Sequence, residues 1–220
     1  MSDLNFSNLI SRAIILLTAF SVHEFAHAWV ADQFGDTTPR YNGRLTLNPL
    51  AHLDPMGSLM LIVAGFGWAK PVPINPYTLK RRAPSAVMWV SLAGPTSNLL
   101  LAILAAIPFR LELLSLQQGY FDYANSASRL LPSLSQFLLE FILINLSLML
   151  FNLIPVAPLD GEKIAEYLFP PAWADFLVRI RPYGPAILMI LFIAGPYLGI
   201  DILGWILGPA LQFLFSALVG

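Results

Sequence analysis

The chain contains no cysteine, which excludes disulfides, thiolate zinc sites and thiol nucleophiles. Charge is scarce as well. Only 11% of its 220 residues are Asp, Glu, Lys or Arg, whereas a soluble domain carries about a quarter. With 57% hydrophobic residues, the composition is that of a polytopic membrane protein. The net charge of −1 offers no basic surface for nucleic acid. No internal repeat is evident, which argues against the duplicated architecture of many transporters. The N-terminal Met1-Ser2-Asp3-Leu4-Asn5 has no basic residue, and no small-residue cleavage site follows it. The first apolar segment is therefore expected to stay in the protein and not to be removed as a signal peptide.

Histidine is also rare, three in the whole chain, and two of the three lie in one pentapeptide, His23-Glu24-Phe25-Ala26-His27. Positions i and i+4 share one face of a helix, so both imidazoles of this H-E-x-x-H pattern can reach one zinc ion. The glutamate beside the first histidine is then placed to act as general base on water activated by the metal. The pentapeptide falls within an apolar stretch long enough to cross a bilayer. Ionisable groups inside a membrane are costly to leave unpaired, so this cluster reads as a metal centre and not as packing.

Hydropathy places spans near residues 9–31, 86–107, 134–153, 185–200 and 202–218. The last two are short and are separated by Gly199-Ile200-Asp201, a tight turn. Met56–Trp68 is apolar but too short to cross as a helix, and is expected to be re-entrant or interfacial. With five crossings, Arg40, Arg44, Lys70, Lys80, Arg81, Arg82, Lys163, Arg179 and Arg181 fall on one side. That is nine of the twelve basic residues. The positive-inside rule makes that side cytoplasmic, with the N-terminus outside and the C-terminus inside.

A hydrolytic zinc needs a third protein ligand and an open position for water. No other histidine lies in a span, so the third ligand is expected to be a carboxylate. Asp160 lies at a depth matching His27, where the third span runs into Pro155-Val156-Ala157-Pro158-Leu159-Asp160-Gly161. The prolines break the helix there, and irregular backbone at membrane depth is tolerated only where it lines a cavity or is buried in protein. Gly161 is read as allowing a sharp turn into a more polar helix over 162–169. The metal set is thus His23, His27 and Asp160, holding one Zn²⁺ per chain, with Glu24 catalytic.

His23-Glu24-Phe25-Ala26-His27 together with Pro158-Leu159-Asp160-Gly161 resembles the site-2 protease family of intramembrane zinc metalloproteases. The resemblance runs from about Ser21 to Lys163. It takes in Leu47-Asn48-Pro49-Leu50-Ala51-His52-Leu53-Asp54-Pro55, Gly67-Trp68-Ala69-Lys70-Pro71-Val72-Pro73 and Ala93-Gly94-Pro95-Thr96-Ser97-Asn98. In that family the two histidines and the distant aspartate bind zinc and the motif glutamate is catalytic. The chain has no room for an inserted PDZ domain, so it is similar to the compact prokaryotic branch.

Several other polar residues carry two readings each. Asn98 follows Pro95 in the second span and reads either as an oxyanion or substrate-backbone donor or as interhelical packing. Asn152 precedes the proline break, either binding substrate or tying down freed carbonyls. His52 and Asp54 sit in a proline-bounded loop without helical ligand spacing, and His52 reads as a turn residue. Arg12 is near a span end and can snorkel; Glu140 faces a neighbour or the outer interface. Asn42-Gly43 is a hairpin signal, giving short strands over Arg40–Leu47 and Trp68–Ile74. The edge of such a strand suits β-addition by an unwound substrate, and Trp68 and Trp89 suit interfacial anchoring.

The expected protein is a single domain over 1–220. It is all-α, with about five transmembrane helices and a small membrane-associated β-hairpin or re-entrant region over 38–76. The expected activity is zinc-dependent endoproteolysis of a transmembrane segment of another protein in the cell (inner) membrane, with the bilayer and that substrate as partners and no nucleic acid. The alternatives are a metal or ion transporter, which predicts ion flux and tolerance of Glu24→Gln, and a zinc-bound scaffold without turnover, in which Glu24 has no role.

Overall fold

A computed structural model describes residues 6–54, 69–191, 199 and 201–220. In chain order its helices are α1 (Phe6–Gln33), α2 (Thr38–Tyr41), α3 (Pro76–Arg82), α4 (Ala86–Arg110), α5 (Leu116–Ala124), α6 (Leu134–Asn152), α7 (Asp160–Leu168), α8 (Pro171–Ile180), α9 (Gly184–Met189) and α10 (Ile202–Val219). Four of them, α1, α4, α6 and α10, are long and apolar enough to cross a bilayer. These coincide with four of the five expected spans. Of the fifth, Pro185–Ile200, helix α9 and its continuation to Leu191 are described. Residues 192–198 and Ile200 lie outside the described residues, as does the expected re-entrant segment Met56–Trp68.

Among the described residues no strand occurs, so the expected β-hairpin is not found there. Arg40 and Tyr41 belong to the single-turn α2, and Asn42-Gly43 closes that turn instead of reversing a strand. Gly43 takes φ +67°, its N–H donates to the Arg40 carbonyl at 3.0 Å, and the Arg44 N–H reaches the Pro39 carbonyl at 2.8 Å. This is a Schellman C-cap, and it needs the same left-handed residue that a hairpin turn needs. Pro39 decides between the two, because its fixed φ suits the first turn of a helix. The second expected strand, Trp68–Ile74, is extended over its described part. Its β-type pairing is one isolated antiparallel bridge, Leu53 to Ala69.

The chain divides into two compact units. The first comprises Met1–Ala19, Asn98–Phe151 and Ile190–Gly220. Its core is formed by Ala102, Ala105, Ala106 and Phe109 of α4, Leu139, Ile142, Leu146 and Met149 of α6, and Val219 of α10. The alanines fall at helical spacing on one face, and their small side chains let neighbouring helices approach closely. Asn98, fully buried, donates from Nδ2 to Asn145 Oδ1 at 2.9 Å. Arg12 donates to the Tyr123 hydroxyl at 3.0 Å.

The second unit comprises Phe20–Ser97 and Asn152–Met189. Ala31, Leu79, Ala86 and Val90 form its apolar cluster. Another Schellman cap ends α1, with Gly35 at φ +85° and the Asp36 N–H on the Ala31 carbonyl at 3.0 Å. Asp36 is buried, and its carboxylate accepts the Thr38 N–H at 3.1 Å and the Asn75 N–H at 2.6 Å. Asn75 in turn caps α3, its side chain accepting from the Tyr77 and Thr78 amides. The extended stretch 70–75 is therefore tied down at both ends, since the Lys70 N–H donates to the His52 carbonyl at 2.8 Å. Arg181 bonds the buried Glu162 of α7 at 2.8 Å and also reaches Glu166.

Candidate metal centre

Helix α1 presents His23 and His27 one turn apart, as the i, i+4 spacing requires, and α7 begins with Asp160. The three side chains converge within the second unit. His23 Nε2 lies 3.0 Å from His27 Nε2, and each of these nitrogens lies 3.2 Å from Asp160 Oδ2. Three ligand atoms held about 2.0–2.1 Å from one tetrahedral metal stand roughly 3.3 Å apart, so the triangle has the size of one face of such a site. All three residues are buried or nearly so. Among the described residues this is the group of His, Asp and Glu side chains able to hold a metal ion.

The donors are also prepared electronically. His27 Nδ1 lies 2.6 Å from the Val90 carbonyl of α4. That oxygen can only accept, so the proton sits on Nδ1 and the lone pair on Nε2 points into the triangle. Two imidazole nitrogens and a carboxylate oxygen facing one another at this range are held together by a cation far better than by hydrogen bonds. Asp160 also opens α7, where the helix dipole favours a negative group.

Two glycines let the backbone come this close. A Cβ on Gly94 of α4 would stand 2.5 Å from His23 Nε2 and nearer still to His27 Nε2. Any side chain there would displace the ligand atoms. Gly161 is helical, so the sharp turn read from the sequence is not its role. Its Cβ would instead lie 2.5 Å from the Ile154 carbonyl oxygen and overlap the Leu153 carbonyl. Gly161 thus seats the first turn of α7 against the chain leaving α6. Gly94 stood within the quoted motif, but its role depends on how α4 packs on α1, which spacing alone does not encode.

Glu24 Oε2 accepts the Val72 N–H at 3.1 Å. Pro71 and Pro73 have no N–H, so Val72 supplies the one amide donor of that tripeptide. Nothing in the spacing of the motifs marks this partner. Asn98 lies in the first unit, bonded to Asn145. Asn152 is the last residue of α6. His52 is a buried loop residue whose Nε2 donates to the Thr46 carbonyl at 2.8 Å, and it is not part of the metal group.

A histidine pair and an aspartate sized for a tetrahedral metal, with a glutamate next in sequence to the first histidine, define a metallohydrolase-type centre on a membrane-spanning helix. The profile of peptidase family M50 matches residues 11–191. The chain belongs to that family, and the resemblance to site-2 proteases read from its motifs holds. It is 44% identical over 180 residues to the Bacillus subtilis protein named "Putative zinc metalloprotease YwhC", covering 82% of this chain and 78% of that protein. It is 33% identical over 183 residues to "Putative zinc metalloprotease Rip2" of Mycolicibacterium smegmatis, covering 80% of this chain and 64% of that one. Against the Mycobacterium tuberculosis protein of the same name it is 32% identical over 200 residues, covering 87% and 68%. No solved structure matches the chain.

Proposed function

We propose that the protein is a zinc-dependent intramembrane endopeptidase that hydrolyses a peptide bond in or near a transmembrane segment of another protein. The observation that carries this reading is the 3.0–3.2 Å triangle of His23, His27 and Asp160 on a membrane-spanning helix beside Glu24. Membership of a peptidase family and relatives named as zinc metalloproteases support it. His23, His27 and Asp160 hold the zinc, which when bound supplies Lewis-acid polarisation of water and of the scissile carbonyl. Val90 fixes the His27 tautomer, and Gly94 leaves the space that both imidazoles fill.

Glu24 is the general base. It takes a proton as water attacks the scissile carbonyl and returns it to the departing amine nitrogen, so each turnover restores the carboxylate. The Val72 amide engages Oε2 alone, so Oε1 is left to take that proton. Asn98 and Asn152 remain proposals of lesser reach, as donors to the oxyanion or the substrate backbone, and the Asn98 amide would have to leave Asn145 first. A bond inside a transmembrane helix has its carbonyl engaged, so the substrate must unwind before attack. In this reading the site opens to the cytoplasmic face of the cell membrane, which the clustering of nine basic residues on one side supports.

The test is reconstitution in liposomes with a single-span substrate tagged at both ends, followed by mass spectrometry of the products. The reading expects a cut within or at the edge of the span, lost in Glu24→Gln. Cuts confined to the soluble tags, or equal cutting by the variant, would contradict it.

A further inference from the structure

The first unit holds a second polar cluster that proteolysis does not use. Ser7, Asn8 and Ser11 of α1 and Gln136 and Glu140 of α6 are all at most 5% exposed. On a helix of 3.6 residues per turn, Ser7 and Ser11 both fall within about 100° of Asn8, so the three share one face. Gln136 Nε2 donates to Asn8 Oδ1 and to Glu140 Oε1, each at 2.9 Å. These two acceptors fix the carboxamide, because the opposite orientation would set its oxygen against theirs. Ser7 Oγ, Ser11 Oγ, Gln136 Oε1 and Glu140 Oε2 are buried with no hydrogen-bond partner in the protein, four of the five such atoms among the described residues.

Buried polar atoms are almost always paired, and a carboxylate on a membrane-spanning helix is costly without a counter-charge. No ion pair among the described residues reaches Glu140. Arg12, one residue beyond Ser11, is engaged with Tyr123. We infer that Ser7, Ser11, Gln136 and Glu140 bind a sodium ion that joins the first turns of α1 to α6. The donor set is all oxygen, which suits a hard cation. Its single negative charge is balanced by a monovalent ion, whereas a divalent one would leave net positive charge in apolar surroundings. A proton on Glu140 would cancel the charge yet leave the amide oxygen and both hydroxyls unpaired. A water molecule would pair oxygens and leave the charge.

The cluster shares no residue with the metal triangle and stands or falls independently of the proteolytic reading. The experiment is thermal unfolding of the purified full-length protein in detergent, in sodium chloride against choline chloride at equal ionic strength. A ligand at ten times its half-saturating concentration raises Tm of a protein this size by about 3–6 °C. Wild type and Glu24→Gln are expected to show that rise with sodium and not with choline. Glu140→Gln is expected to lose it. Ser11→Ala is expected to need roughly tenfold more sodium for the same rise, and carries the test should Glu140→Gln not fold. An equal rise in choline, an unchanged response in both variants, or no rise in wild type would overturn the inference; the last would assign the stranded oxygens to water or a proton.

Discussion

At the scale of single residues, the centre depends as much on a missing side chain as on the ligands. Gly94 supplies no donor, yet both imidazoles occupy the space its Cβ would take. Gly94→Ala is expected to cost most of the bound zinc while the helices persist, read as metal per chain by elemental analysis alongside circular dichroism. A wild-type metal content would show that α4 can back away and that the close approach is not required. Asp160→Ala removes the one carboxylate of the triangle and is expected to leave zinc well below one per chain. Unchanged stoichiometry would reject Asp160 as a ligand.

Among the elements, the extended stretch 70–75 carries the partner of Glu24 and is held by its ends. Asp36 anchors one end through the amides of Thr38 and Asn75 while itself buried. Asp36→Ala strands two amides, a loss of about 2 kcal/mol. It is expected to lower Tm by roughly 4–8 °C and to reduce turnover, since Val72 and Glu24 lose their register. A variant with unaltered Tm would mean that the stretch is held elsewhere. The same stretch marks the limit of what was legible beforehand. Asn42-Gly43 announces a left-handed turn but not whether a strand or a helix precedes it, and Pro39, which decides, exerts its effect through local φ. The extended backbone near Val72 was foreseen, but its pairing with a side chain 48 positions away was not.

For the whole molecule, four of the five expected spans coincide with helices long and apolar enough to cross, because bilayer thickness translates directly into the length of an apolar run. The meeting of His23 and His27 was legible because a helix fixes what i and i+4 can share, and the approach of Asp160 because prolines break the chain beside it. Gly94 and Gly161 were not, because a close approach exists only once helices have packed. Topology remains the open expectation, and a chain without cysteine makes it directly measurable. Leu113→Cys, in the loop after α4, is expected to react with a membrane-impermeant thiol reagent in intact cells. Lys80→Cys is expected to react only after permeabilisation. The reverse pattern would invert the orientation and put the site's opening on the other face.

The account as a whole rests on zinc and Glu24 acting together. Zinc content and cleavage of a single-span substrate, measured on the same purified samples of wild type and Glu24→Gln, test it most directly. The expected result is about one zinc in each, with cleavage in wild type and a loss of about 10²–10⁴-fold in the variant. Cleavage by Glu24→Gln at the wild-type rate, or no zinc in either protein, would contradict it.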